Sequence, residues 1–259
     1  MEEVLNITLP TSWNELSDAQ LRALAMVFFG GTVKTAIQAD AAILGILMET
    51  GKLNFENNKA FNTLIDNVPM SEIKRQMGFI YEKTDRTTFI ESLVLDLKRY
   101  YAPKPRLFNL TIEEFSFADD FYNRYRENPN VEFLHYLAAV LYVPGDPDVR
   151  PQFYAERLHT MAAKFKDAPL DFLLAAFLTF QGCRFEIETR YKWVFNKKQK
   201  QTKADAKKGN KRDYGFGKII LSMAGGKFGT HAETRQTRLH TFMETLNEDL
   251  SPKNRKGKR

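Results

Sequence analysis

Four histidines (His135, His159, His231, His240), one cysteine (Cys183) and three close carboxylate pairs (Glu113/Glu114, Asp119/Asp120, Glu186/Glu188) are the residues whose types could do chemistry in this chain of 259. A zinc protease places two histidines one helical turn apart with a glutamate beside the first. No H-E-x-x-H occurs, and no two histidines stand four apart. His135 lies in an apolar run and reads as a core or interface histidine; His231 and His240 read as surface residues. A single cysteine excludes an intramolecular disulfide and a cysteine-based zinc cluster. Its neighbours, FLTFQGCRF, read as a packed helix end, which makes Cys183 a buried structural thiol.

Two glycine–lysine words invite a phosphate reading: GFGK at Gly215–Lys218 and AGGKFG at Ala224–Gly229. A P-loop needs G-x-x-x-x-G-K-[S/T], so that backbone N–H groups cradle phosphate and a hydroxyl reaches magnesium. Ile219 follows Lys218 and Phe228 follows Lys227, so the hydroxyl is missing and these glycines read as turns and helix ends. The carboxylate pairs read as solvated helix faces. Without a G-x-S-x-G elbow or a Cys–His signature, no catalytic, cofactor or metal site is expected.

The remaining candidate is electrostatic. Between Lys197 and Lys218 nine Lys/Arg face two acids, a local sum of +7, and the tail from Ser251 to Arg259 adds five more cations. The chain as a whole is only +6, so the body outside these two segments is net −6, and the pI near 9.2 says little about it. Lys197, Lys198, Lys200, Lys203, Lys207, Lys208, Lys211 and Arg212 form the candidate polyanion-binding set. Lysines in such a segment attract phosphates by counterion release, without reading sequence. Residues 196–213 hold too little apolar surface to offset chain entropy and are expected to be a mobile excursion. Stacking aromatics are not interleaved with the lysines, as single-strand binders require. Tyr191, Trp193 and Phe195 on one side, and Tyr214 and Phe216 on the other, read as anchors for its ends.

The elements around these residues are helical in pattern. Ser17 and Gln20 make a capping box ahead of a stripe of Leu21, Leu24, Ala25 and Phe28, which Gly30-Gly31 ends. Further helices are expected over Ala36–Glu49, Met70–Tyr81 and from Asp85 or Thr87 to Tyr101, and Phe61–Val68 reads as a short apolar run. Ala102-Pro103-Lys104-Pro105 stops the last of these, because a residue before proline is pushed to extended geometry. Thr111 and Glu114 make a second capping box for a helix that ends at Asn128-Pro129. Helices are also expected over Val131–Val143, Phe153–Phe165, Leu170–Phe180, Phe216–Met223 and Thr234–Leu246, with short extended pieces at Leu5–Leu9 and Arg106–Leu110.

These patterns imply a mainly α fold class: two helical subdomains, with at most short β-strands and a disordered basic insert. The subdomains are expected at 1–103 and 104–250, the second carrying the loop 196–213, with 251–259 as a basic tail. A hydrophobic content of 43% is enough to build real cores. No apolar run approaches the ~18 residues of a membrane span. Glu2 and Glu3 stand where a signal peptide carries positive charge, so neither secretion nor a membrane partner is expected.

Four stretches carry a resemblance. They are LPTSWNELSDAQL; LTIEEFSFADDFYNRYRENPNVEFLHYLAAVLYVPGDPD; FYAERLHTMAAKFKDAPLDFLLAAFLTFQG; and IILSMAGGKFGTHAETRQTRLHTFMETLNE. They resemble helical proteins of the tail-gene clusters of phages and prophages, in particular those of Bacteroidetes, often placed as tail assembly chaperones. The resemblance implies a non-catalytic tail assembly or virion protein that binds other phage proteins, the tape measure or the tail tube, in the host cytoplasm or the virion. It assigns no site residues and no cofactor. Such a protein needs apolar grooves for an amphipathic helix. Phe153–Phe165 and Leu170–Phe180 are the candidate groove walls, unless they are simply core. The second functional reading is a nucleic-acid-binding accessory protein that uses the lysine-rich insert and the tail.

Overall fold

The computed structural model describes residues 9–31, 33–48, 59–195 and 216–252. They form twelve α-helices and a small antiparallel sheet. In chain order these are α1 (Asp18–Phe29), α2 (Ala36–Leu47), α3 (Lys59–Asn67), α4 (Met70–Gln76), α5 (Gly78–Tyr81), β1 (Ser92–Leu95) and β2 (Lys98–Tyr101). Next come α6 (Ile112–Glu127), α7 (Val131–Leu141), β3 (Val143–Pro144), α8 (Leu158–Lys164), α9 (Leu170–Arg190), α10 (Phe216–Met223), α11 (His231–Gln236) and α12 (Leu239–Leu250). The protein is therefore mainly α with short strands, as the patterning predicts.

Two compact units divide the chain: residues 1–90 with 167–183, and residues 91–166 with 184–259. This differs from the boundary expected at Ala102–Pro105. Residues 91–102 form a hairpin whose second strand pairs with β3, Tyr100 opposite Pro144 and Tyr101 opposite Val143, so they belong to the second unit. The chain also returns to the first unit through the early part of α9.

In the first unit, Ser17 closes the capping box with Gln20, and Leu21, Leu24 and Ala25 of α1 are fully buried. The buried Gln20 amide donates to the Leu47 carbonyl at 3.1 Å, satisfying an orphan at the end of α2. Met70–Tyr81 splits into α4 and α5, and Pro69 precedes the first turn. The helix expected from Asp85 or Thr87 to Tyr101 is absent. The stripe Phe89, Leu93, Leu97, Tyr100 fits a helical period, but Thr87, Thr88 and Ile90 are β-branched and Leu93/Leu95 alternate. Residues 83–91 are instead irregular, and Asp96-Leu97 form a two-residue turn with both φ positive, 50° and 61°.

This irregular stretch is held by Arg86, itself 3% exposed. Its guanidinium donates to the carbonyls of Trp13 (2.9 Å) and Leu16 (2.8 Å), at the two ends of a short 3-10 turn, and of Thr88 (2.7 Å) in the irregular stretch. Helix α9 passes this stretch closely enough that a Cβ at Gly182 would sit 2.1 Å from the Arg86 carbonyl oxygen. The helix runs ten residues beyond the expected end at Phe180, so Cys183 lies inside it, buried, with its Sγ 3.6 Å from the Thr87 carbonyl.

In the second unit, the Thr111–Glu114 capping box starts α6, and α6, α7 and α8 pack in sequence. Phe153–Phe165 is not one helix: a 3-10 turn at Ala155–Arg157 leads into the shorter α8. The expected helix Thr234–Leu246 is broken into α11 and α12, because the junction pairs with the chain before α6. Ile112 N–H donates to Thr237 and Leu239 N–H donates to Leu110, both at 2.9 Å. The Pro103–Pro105 segment continues into a turn where Arg106 and Leu107 take positive φ (58° and 60°) and Leu107 is fully buried, with Arg106 and Phe108 exposed. Arg106–Leu110 is thus a turn and not an extended piece. Phe195 and Phe216, on either side of the lysine-rich insert, have ring centroids 5.6 Å apart, and Tyr191 and Phe216 are buried, as expected of anchors.

Gly182→Ala is expected to destabilise the protein by about 1–3 kcal/mol, since the new methyl meets backbone that cannot swing aside. A lowered urea midpoint at unchanged slope checks this; an unchanged midpoint contradicts the close approach.

Candidate functional site

Lys197, Lys198, Lys200, Lys203, Lys207, Lys208, Lys211 and Arg212 lie outside the described residues, as do Leu5–Thr8 and Tyr214. Of the histidines, His231 is exposed as expected. His240 is half-buried: its Nε2 faces the Arg106 carbonyl at 2.8 Å and its Nδ1 faces the Tyr191 hydroxyl at 2.8 Å. Because a carbonyl only accepts, Nε2 carries the proton and secures the positive-φ turn at Arg106. His159 accepts or donates at Nδ1 to Tyr136 (2.6 Å), and burial pushes the pKa of half-buried His135 below its ordinary value.

The carboxylates depart from the expectation of solvated helix faces. Glu113, Glu114 and Asp119 are buried, and each of the six pairs with a cation. Glu113 takes Arg235, Asp120 takes Arg124 at 2.8 Å, Glu188 takes Arg184, and Glu186 faces Arg190 at 4.0 Å. Asp119 accepts from Arg184 Nε at 2.5 Å and from Asn123 at 3.1 Å. Burial pushes the Asp119 carboxyl above its ordinary value; the Arg184 guanidinium opposes this only in part, and the nearby Glu188 charge adds to it.

Glu114 sits beside a cavity of about 370 Å³ in the second unit. Three segments contribute to it: the run into α6 (Asn109, Thr111, Glu114), the stretch Arg150–Phe153 after β3, and the α11–α12 junction (Gln236, Arg238). The Glu114 and Arg150 side chains are each 3% exposed and meet at 2.7 Å. The second Glu114 oxygen accepts from Thr111 N (2.8 Å) and Oγ1 (2.9 Å). Arg150 also donates to the carbonyls of Leu141 (3.0 Å) and Val140 (2.6 Å), which end α7. These two charges are therefore consumed by the fold. Arg238 differs: its Nη1 donates to the Asn109 carbonyl, and among the described residues no carboxylate pairs with it.

The groove walls expected at Phe153–Phe165 and Leu170–Phe180 are mostly core. Leu158, Ala162, Phe165, Phe172, Phe177 and Phe180 are buried. Large apolar side chains are exposed elsewhere: Leu97 fully (102%), Ile37 at 81%, Val149 at 66% and Leu221 at 62%. Among the described residues no group of three His, Cys, Asp or Glu could hold a metal ion, and no helix is long and apolar enough to cross a membrane.

Sequence reasoning missed Arg86, Arg150 and Arg238, because a lone cation in a loop carries no local signal for partners up to 129 residues away. It also passed over the Thr230–Glu233 capping box of α11, which the [S/T]-x-x-E spacing does announce. Comparison with protein-family models, with curated proteins and with solved structures gives no match to this chain.

The raised Asp119 pKa fixes a sign. From about pH 4 up to the raised native value, the native state holds a proton that the unfolded chain has lost, so this carboxyl's contribution to stability falls as pH rises. Asp119→Asn is therefore expected to gain stability relative to wild type between pH 3.5 and pH 7 in paired denaturation curves. The opposite slope would mean that Arg184 dominates and depresses the pKa.

Proposed function

We propose that this protein acts without catalysis, as a phage tail assembly protein of the chaperone type or a virion component, and that it binds other phage proteins, the tape measure or the tail tube. Its place is then the host cytoplasm or the particle itself. The observation that carries the reading is the β1–β2 hairpin tip. Leu97 is fully exposed there, and it sits at φ 61°, where a branched side chain costs roughly 1–2 kcal/mol. Asn or Gly would relieve both costs. Val94, half-exposed on the same hairpin, extends the apolar surface. Burial of a leucine against a partner returns about 1.5–3 kcal/mol, enough to offset the strain in the bound state. Phe28, Phe29 and Ile37 offer further exposed apolar surface at the end of α1 and the start of α2. The resemblance of four stretches to tail-cluster proteins supplies the partner class.

Leu97→Asn separates partner binding from folding, because asparagine suits the left-handed turn better than leucine. Tagged wild-type protein, recovered from cells with the encoding prophage induced, is expected to carry the tape-measure or tube protein. The variant should keep or raise the unfolding midpoint and lose recovery about tenfold. Recovery of neither protein by the wild type, or equal recovery by the variant, contradicts the proposal.

A further inference from the structure

The hydrogen-bond inventory of the second unit's cavity is unbalanced. Most of its side-chain acceptors are engaged; for the Gln236 side-chain oxygen there is no donor among the described residues. Both Glu114 oxygens accept hydrogen bonds, the Asn109 side-chain oxygen accepts from Lys104 N at 2.8 Å, and the Gln152 oxygen accepts from the Tyr154 hydroxyl at 3.2 Å. What remains among the described residues is mostly donors: the side-chain amide nitrogens of Asn109 and Gln152, and Nε and Nη2 of Arg238.

Arg238 is fixed in place. Its backbone forms a β-bridge with Thr111, the flanking Thr237 and Leu239 are hydrogen-bonded to Ile112 and Leu110, and its Nη1 donates to the Asn109 carbonyl. That last contact occupies one end of the guanidinium and leaves the Nε–Nη2 edge, the side-on fork that matches a carboxylate with two parallel hydrogen bonds. Glu114 and Arg150 cancel, so Arg238 is the one lining charge without a counter-ion among the described residues. A single cation suits a monoanion; a dianionic phosphate would leave one charge unmet. Phe153 and Pro151 add apolar surface, and about 370 Å³ is near the lower end for ligand pockets, sized for one or two residues and not for a helix.

We propose that this cavity binds a peptide carboxylate next to an apolar side chain, with Arg238 as its side-on partner and Gln152 as a second donor. The carboxylate is either a chain's C-terminus or an Asp/Glu side chain. The proposal needs only the cavity and does not rest on the assembly role.

Four N-acetyl dipeptides test it by calorimetric titration of the full chain: Gly-Phe with a free C-terminus, Gly-Phe amide, Asp-Phe amide and Asn-Phe amide. One carboxylate probe is expected to bind about tenfold tighter than its amide counterpart. Preference for the free C-terminus identifies a chain end, and preference for Asp-Phe amide identifies a side chain. Arg238→Gln should reduce binding to the amide level. Gln152, exposed and outside the core, gives a second variant that spares the fold: Gln152→Ala should weaken the same probe about threefold. Equal binding of carboxylate and amide, no binding at millimolar probe, or unchanged affinity in both variants overturns the proposal.

Discussion

One buried carboxylate ties the second unit together. Glu114 caps α6 through Thr111 and pairs with Arg150, and Arg150 in turn takes the last carbonyls of α7. Removing two charges from water costs several kcal/mol each, and mutual attraction repays this only when the remaining lone pairs and protons are also satisfied. Here the Thr111 and α7 contacts supply those remaining bonds. The start of α6, the end of α7 and the segment after β3 must therefore be in place together. A helix cap, ordinarily worth about 1 kcal/mol, becomes part of a network in which no member can be replaced alone.

The same solution recurs in the first unit with different chemistry. Arg86 is equally buried, but its main partners are carbonyls: Trp13 and Leu16 at the ends of a short 3-10 turn, and Thr88 in irregular backbone. Asp18 stands at 3.8 Å from the guanidinium, a longer and largely exposed charge contact. Gly182 lets α9 approach the backbone of Arg86 to a distance that no other residue permits. In both units a buried guanidinium donates to backbone carbonyls: those of Trp13, Leu16 and Thr88 in the first, and those that end α7 in the second. The carboxylates that could have served acid–base chemistry are held in ion pairs, and Arg238 is the lining charge of the cavity that no carboxylate pairs with among the described residues.

Much of this was legible in the sequence where the signal is local. The Ser17–Gln20 and Thr111–Glu114 boxes form as their spacing predicts, Gly30-Gly31 and Asn128-Pro129 end their helices, and Phe216–Met223 is a helix at its expected bounds. The hairpin was not legible, because Phe89, Leu93, Leu97 and Tyr100 satisfy a helical stripe and Asp96-Leu97 lacks the glycine that marks a tight turn. Two prolines at 103 and 105 imitate a linker, yet the chain beyond them enters a turn that buries Leu107 and is held by His240. The cavity was hidden for another reason: Asn109, Arg150 and Arg238 come from three loops, and only the folded chain brings them to one place.

Glu114 and Arg150 act as one structural unit and not as free polar groups of a site, and the rest of the second unit depends on this. A double-mutant cycle in urea with Glu114→Gln, Arg150→Met and the pair measures it directly. Each single change is expected to cost about 3–5 kcal/mol, because it strands a buried partner. The double change should cost little more than either alone, a coupling of about 3 kcal/mol. Additive costs, or single variants as stable as wild type, would mean that the two charges are not consumed by the fold and would contradict the account.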